Sequence, residues 1–298
     1  MNTFKRFKVK VAKACPCNWF RKPSGGGGSD SGGNVMGDRA LLVGINAYPN
    51  SPLSGCINDV TDVAQFLVSK CGFKEENIRL LTDGRATTSA IIERLNWLTQ
   101  VSPGDRVYFH YSGHGAQMPT RNDASEIDNL SEVICPVDFD WSAGHMVTDK
   151  QFVEIFKKIP AGVRFCWSSD SCHSGDLTKT MLAHNSPKIL GYRKYPVPAD
   201  ISWRQRTARK NGLSRSMVGN VLDVGFISGC RSNQTSADAE FGGRPNGALT
   251  YFLLKSLDTM LDKPIVEVVA EVNKQLSSVG FEQSPQAEGA RKDKAFLG

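Results

Sequence analysis

Two short polar stretches hold the residues best suited to chemistry. Cys172 stands in "SSDSCHSG" (168–175), among side chains almost too small to pack a core, at the end of the apolar run "VRFCWSS" (163–169). His114 stands between glycines in "SGHG" (112–115), directly after the apolar run "RVYFHY" (106–111). A thiol and an imidazole, 58 residues apart in the chain, are the parts of a covalent acyl transfer. The thiolate attacks a carbonyl, and the imidazole keeps the thiol ionised and then protonates the departing amine. Glycine and serine neighbours let another backbone pass close to the sulfur. Charge building on the attacked oxygen needs backbone N–H donors aimed at it, and the amides of Gly115 and Cys172 are placed by sequence to supply them.

Positioning such a pair requires two strands ending at one edge of a sheet. Beyond Arg39, short apolar runs alternate with helical periods. "RALLVGI" (39–45), "IRLLT" (78–82), "RVYFHY", "VRFCWSS" and "VLDVGFIS" (221–228) have strand length, and several lack polar alternation, as strands covered on both faces do. Between them Val60, Val63, Ala64, Leu67 and Val68 fall at helical spacing, as do Ile91, Leu95 and Leu98. Pro264 opens a later helix with Ile265, Val268, Val269, Val272 and Leu276 on one side. The alternation predicts an α/β fold, a mostly parallel central sheet flanked by helices on both faces. Ligands bind such sheets beyond the carboxyl ends of the strands, where Cys172 and His114 lie.

The chain has 298 residues, 40% of them hydrophobic, and a formal charge of +6. Residues 1–33 hold seven basic residues against one acidic, which accounts for that whole charge; the remainder balances 29 against 29. The folded body is therefore neutral, and nucleic acid is excluded as an expected partner. Residues 1–23 read as a basic extension and 24–36, with "SGGGGSDSGG", as a flexible linker. The extension suits a solvated tail, or a membrane-surface anchor using Cys15 and Cys17. No run approaches the roughly 18 apolar residues of a membrane span and no secretory core is present, so a cytoplasmic chain with reduced thiols is expected. Cys56, Cys71, Cys135, Cys166 and Cys230 read as small core hydrophobes.

"HYSGHG" (110–115) followed by "DSCHSGD" (170–176) resembles the metacaspases, caspase-like cysteine peptidases of organisms outside the animals. "LVGINAY" (42–48), "LSGCINDV" (53–60), "PVDF" (136–139), "ISGCRSNQTSAD" (227–238) and "NGALT" (246–250) extend the resemblance over about 39–280. It implies a caspase-like fold over 37–298, with a large part at 37–176 and a small part at 217–298, acting as a monomer on protein or peptide substrates. It further implies cleavage after Arg or Lys, with Asp59 and Asp170 at the base of the specificity pocket and Ser112 and Cys56 in its wall. Two carboxylates can hold a guanidinium through charge-assisted hydrogen bonds, although Asp59 also suits a helix start.

Residues 177–216 carry nine basic residues against Asp200 alone, with three prolines. A connection of that length is functional or unstructured. In an enzyme cutting after Lys or Arg it is a substrate for self-processing; the plain alternative is a solvated, mobile loop. No cofactor is required by this chemistry. Many metacaspases bind calcium through aspartates, but Ser131, beside Glu132, stands at the first such position, and Thr148 and Asp149 stand at a later pair. Calcium prefers several carboxylates; with Asp149, Asp123, Glu126 and Asp128 as the remaining acids, calcium is a weak expectation. His173, adjacent to the thiol on an extended segment, points away from it and reads as structural. Two other classes compete with the peptidase: a non-catalytic caspase-like scaffold recruited through its basic tail, and a zinc hydrolase built on His114, Cys135 and Cys172, for which the short paired ligand spacings are missing.

Overall fold

The computed structural model describes residues 37–120, 130–172, 187–208, 222–231 and 234–298. The basic extension, the linker, His173, and Asp123, Glu126 and Asp128 lie outside them, as do 177–186 and 209–216 of the basic segment.

Six strands form the central sheet: β1 (Arg39–Gly44), β2 (Ile78–Thr82), β3 (Arg106–Ser112), β7 (Arg164–Asp170), β9 (Gly225–Ser228) and β12 (Gln286–Glu288). Their order is β12-β9-β7-β3-β1-β2, parallel except for the edge strand β12. The runs of β1, β3, β7 and β9 are buried on both faces, so side chains divide by parity rather than by polarity. Leu41, Val43, Phe109, Phe165 and Trp167 enter one core layer with α2 (Thr88–Leu98) and α3 (Asp149–Phe156). Leu42, Tyr108, Cys166 and Ile227 enter the other with α1 (Cys56–Ser69), α5 (Ala248–Met260) and α6 (Ile265–Ser278). Helices thus cover both faces as expected. Strand order reverses at β1 and β3, since β2 lies outside β1 and β7 outside β3. The crevice at such a reversal is where ligands settle, and β3 ends there at Ser112, two residues before His114.

Two antiparallel sheets of three strands were not apparent in the sequence. One is β4 (Gly115–Pro119), β5 (Leu130–Ile134) and β6 (Val147–Thr148); the other is β8 (Lys188–Tyr192), β10 (Ala237–Phe241) and β11 (Arg244–Gly247). Within 187–208, the described part of the basic segment, β8 and α4 (Ala199–Ala208) form where the sequence offered a mobile loop as one reading. β8 pairs antiparallel with β10 (Gly191↔Asp238, Tyr192↔Ala237), and α4 follows it. The strand expected at 221–228 is shorter than its apolar run, because Leu222–Val224 turns on itself, Val224 N donating to Leu222 O. No helix among the described residues is long and apolar enough to cross a membrane. All six described cysteines are free.

Candidate active site

Adjacent strands β3 and β7 stop level with one another, Ser112 beside Asp170. The chain then turns, and it carries His114 and Cys172 to the same rim of the sheet. Between them, fed in by β8, lies Arg193, whose side chain is fully buried.

The guanidinium of Arg193 meets three carboxylates. Its Nη2 donates to Asp59 Oδ2 at 2.6 Å and to Asp238 Oδ1 at 3.1 Å, and Nη1 lies 3.3 Å from Asp170 Oδ2. Nη1 also donates to Ser112 Oγ at 2.7 Å and to the Asp170 carbonyl at 3.1 Å. Each acid is itself fixed. Asp59 accepts from Ser112 Oγ, Asn246 Nδ2 and Gly247 N; Asp170 accepts from Ser236 Oγ and from the amide and hydroxyl of Thr250; Asp238 accepts from the amides of Ser54 and Gly55. The Cys56 thiol is buried near Arg193 and Ser112, which oppose the rise that burial imposes on its pKa. Burial would lower the Arg193 pKa, but Asp170, Cys56, Asp59 and Asp238 together hold it well above the ordinary arginine value. Burial raises the Asp170 pKa, an effect that Arg193 opposes. Gly247 leaves the space: a Cβ there would lie 2.5 Å from the guanidinium carbon.

The backbone of Arg193 is equally engaged. Its carbonyl oxygen accepts from Cys172 N at 3.0 Å and from Gly115 N at 3.1 Å, and its N–H donates to Ser236 O at 3.0 Å. The two amides singled out in the sequence therefore converge on one carbonyl, that of an arginine.

His114 Nε2 lies 2.7 Å from Ser51 O. A carbonyl only accepts, so Nε2 carries the proton and the neutral ring presents Nδ1 as a base. Nδ1 forms no hydrogen bond of good geometry, although the Arg193 carbonyl lies near enough to favour the protonated ring. The ring is packed by Tyr48 at 4.5 Å and Tyr195 at 5.5 Å between centroids, and the histidine is buried. Burial pushes its pKa down to about 4. Tyr48 fixes the turn as well, its hydroxyl accepting from His114 N and donating to Cys135 O.

The Cys172 thiol is held by the backbone of Ser236, from whose N–H it accepts and to whose carbonyl it donates at 3.5 Å. The Cys230 thiol donates to Gln234 O at 3.2 Å, and the nearby Cys172 thiol together with burial raises the Cys230 pKa well above the ordinary thiol value. Cys230 is therefore not the plain core hydrophobe its composition suggests. Burial also raises Cys56, Cys135 and Cys166, and Cys71 to about 11.

Among the described residues no three His, Cys, Asp or Glu side chains are grouped to hold a metal ion. His114, Cys135 and Cys172 do not form such a group, so the zinc reading gains no support. Thr148 is committed to a capping box, its hydroxyl accepting from Gln151 N and its N–H donating to Gln151 Oε1. Asp149, buried in the first turn of α3, accepts from Lys150 N, and Ser131 and Glu132 lie on β5 opposite Met118 and Gln117.

The layered α/β sheet, with a histidine after β3 at its switch point and a cysteine after the adjacent β7, has a caspase-type fold. Caspase-1 from Spodoptera frugiperda superposes with a TM-score of 0.55 at 10% identity, covering 89% of this chain and 90% of that one. A protein of Geobacter sulfurreducens superposes with a TM-score of 0.61 at 25% identity, covering 87% and 97%. Residues 38–181 match the family described as "Metacaspase, peptidase C14 domain". Metacaspase-1 of Scheffersomyces stipitis is 31% identical over 83% of this chain and 69% of its own length. Metacaspase-1 of Cryptococcus neoformans is 31% identical over 83% of this chain. The chain belongs to the metacaspase family. It spans 61% of the length of the Cryptococcus relative and 58% of the Schizosaccharomyces pombe one.

Proposed function

We propose that the protein is a cysteine endopeptidase that hydrolyses peptide bonds after Arg or Lys, and that its own Arg193–Lys194 bond is a substrate. The observation that carries this is the placement of Arg193 in the manner of a bound substrate residue, guanidinium among three carboxylates and carbonyl on two convergent amides.

In this reading the Cys172 sulfur attacks the carbonyl carbon of the basic residue. The C=O electron pair moves to oxygen, where the amides of Gly115 and Cys172 stabilise the charge. Collapse of the adduct breaks the C–N bond, and His114 delivers the proton taken from the thiol to the leaving amine. Water, deprotonated by His114, then attacks the thioester; the acid is released and the thiol restored. Asp59, Asp170 and Asp238 supply selectivity for a positive side chain, with Ser112 and Cys56 as the wall. Ser51 acts as a positioning group, its carbonyl holding the tautomer that leaves Nδ1 free. No step requires a cofactor, and calcium has no assigned role. The basic extension and its membrane contact are not needed for the chemistry.

A fluorogenic peptide ending in arginine, compared with one ending in aspartate, tests the reading. Cleavage of the first alone, abolished by Cys172→Ala, is expected. Activity on neither, with or without calcium, returns the chain to the scaffold class.

A further inference from the structure

Tyr195 stands two residues beyond Arg193, and its ring is nearly as buried as the guanidinium, at 5% exposed. The intervening Lys194 is only half-buried, the alternation of an extended peptide lying on a surface. We propose that the aromatic nest holding Tyr195 is a prime-side subsite that selects an aromatic residue two positions after the cleaved bond. The proposal rests on the peptidase reading and adds a second determinant to its substrate class.

Three aromatic walls close around the Tyr195 ring: Phe139 at 5.0 Å, Tyr48 at 5.8 Å and Trp141 at 6.5 Å between centroids, each in edge-to-face geometry. This is the arrangement favoured by ring quadrupoles. Asn50 lies close enough to the phenol hydroxyl to oppose the rise that burial imposes on its pKa, a polar neighbour that favours tyrosine over phenylalanine. Tyr48 is anchored independently of Tyr195, through Cys135 O at 2.8 Å and the Tyr111 hydroxyl at 3.1 Å. Trp141 adopts φ = 68°, a conformation rare for a bulky residue and retained only where the surroundings impose it. Its ring packs on Phe139 at 5.0 Å.

The backbone sets the spacing. Gly115 N donates to Arg193 O at 3.1 Å while Gly115 O accepts from Tyr195 N at 3.2 Å, so one residue grips the chain on both sides of the bond to be cut. Lys194 bridges in parallel with Gly115. A side chain two positions on is thereby aimed into the nest. The fourth neighbour of the Tyr195 ring is the His114 imidazole, at 5.5 Å. An aromatic residue in the nest therefore covers the base as well as adding affinity, and its loss lowers kcat together with affinity.

Two internally quenched peptides test the subsite with the full-length chain: one carrying the sequence of residues 190–197, the other with alanine at the position of Tyr195. The tyrosine peptide is expected to show kcat/KM about tenfold higher or more, the scale of an edge-to-face aromatic contact plus its buried area. A phenylalanine peptide should fall between, and Trp141→Ala should shrink the ratio. Within the chain, Tyr195→Ala should slow self-cleavage after Arg193 more than Tyr195→Phe does. Equal kcat/KM for the tyrosine and alanine peptides overturns the subsite and leaves the peptidase intact. Cleavage of neither peptide overturns the peptidase reading and the subsite with it.

Discussion

The guanidinium of Arg193 and the carboxylate of Asp59 meet at 2.6 Å, and neither is exposed to solvent. A buried charge is tolerated only when paired, and removing one partner of such a pair costs about 3–5 kcal/mol. Three acids thus compensate one buried arginine that the chain itself supplies, beside the cysteine and the histidine. The arrangement is explained if the acids are built to receive an arginine from elsewhere and the chain's own occupies the place until it is cut.

Asp238 lies on β10, outside the acid pair expected from the sequence, yet it shares Nη2 with Asp59. Asp238→Asn should raise KM for arginine peptides about 10- to 100-fold, the range of a charge-assisted hydrogen bond, with a smaller change in kcat. Asp59→Asn should behave alike. Steady-state kinetics on folded variants checks this; an unchanged KM for Asp238→Asn removes it from the pocket.

Gly247 has ordinary backbone angles, φ −71° and ψ 136°, so its need for glycine is spatial. A Cβ there would lie 2.3 Å from Asp170 Oδ2, which calls for displacement of the acid or the guanidinium. Gly247→Ala should abolish most cleavage of arginine peptides. It should also lower the melting temperature of the uncut chain, and Arg193→Ala in the same chain should restore part of that loss by vacating the space. Thermal melts of the single and double variants decide.

His110 and His114 are both pushed by burial to about 4 from the ordinary 6.5. Their folded forms stay neutral where the unfolded chain takes up protons. The stability they contribute is complete above about pH 6.5 and is lost as pH falls toward 4, about 3 kcal/mol for each imidazole. Asp170, raised by burial, acts in the opposite sense but is common to parent and variant. The Cys172→Ala chain should therefore lose more stability between pH 6.5 and 4 than the same chain carrying His110→Gln, measured by denaturant unfolding.

Ser131 and Thr148 offer no carboxylate to a calcium ion, and Thr148 is spent on capping α3. Peptidase activity is expected to be full in excess chelator. Activity that vanishes with chelator and returns with calcium alone would contradict this.

The five parallel strands were legible because each is a short apolar run, and all but the edge strand β2 are buried along most of their length; the turns after β3 and β7 were legible because histidine and cysteine stand there among residues that cannot pack. Asp59 and Asp170 were legible only through the family resemblance. Arg193 was not, being one of nine basic residues in its segment, with nothing local to mark the one that enters the pocket. β4, β5, β6 and β8 are too short to show a period, and their pairing is fixed by partners distant in the chain. Asp238 reads as one more acid in a loop until β10 sets it beside Ser54 and Gly55. Cys230 was misjudged for the same reason: the parallel pairing of β7 with β9, not its own neighbours, carries it to Cys172.

The central claim is that this active site holds its own scissile residue. Purified full-length chain, incubated and analysed by intact-mass spectrometry and N-terminal sequencing, should yield a fragment beginning at Lys194. That fragment should persist in Arg193→Lys, and should disappear in both Arg193→Ala and Cys172→Ala. A chain that remains whole under conditions where it cleaves arginine peptides, or a Lys194 fragment that still forms without Cys172, would contradict the account.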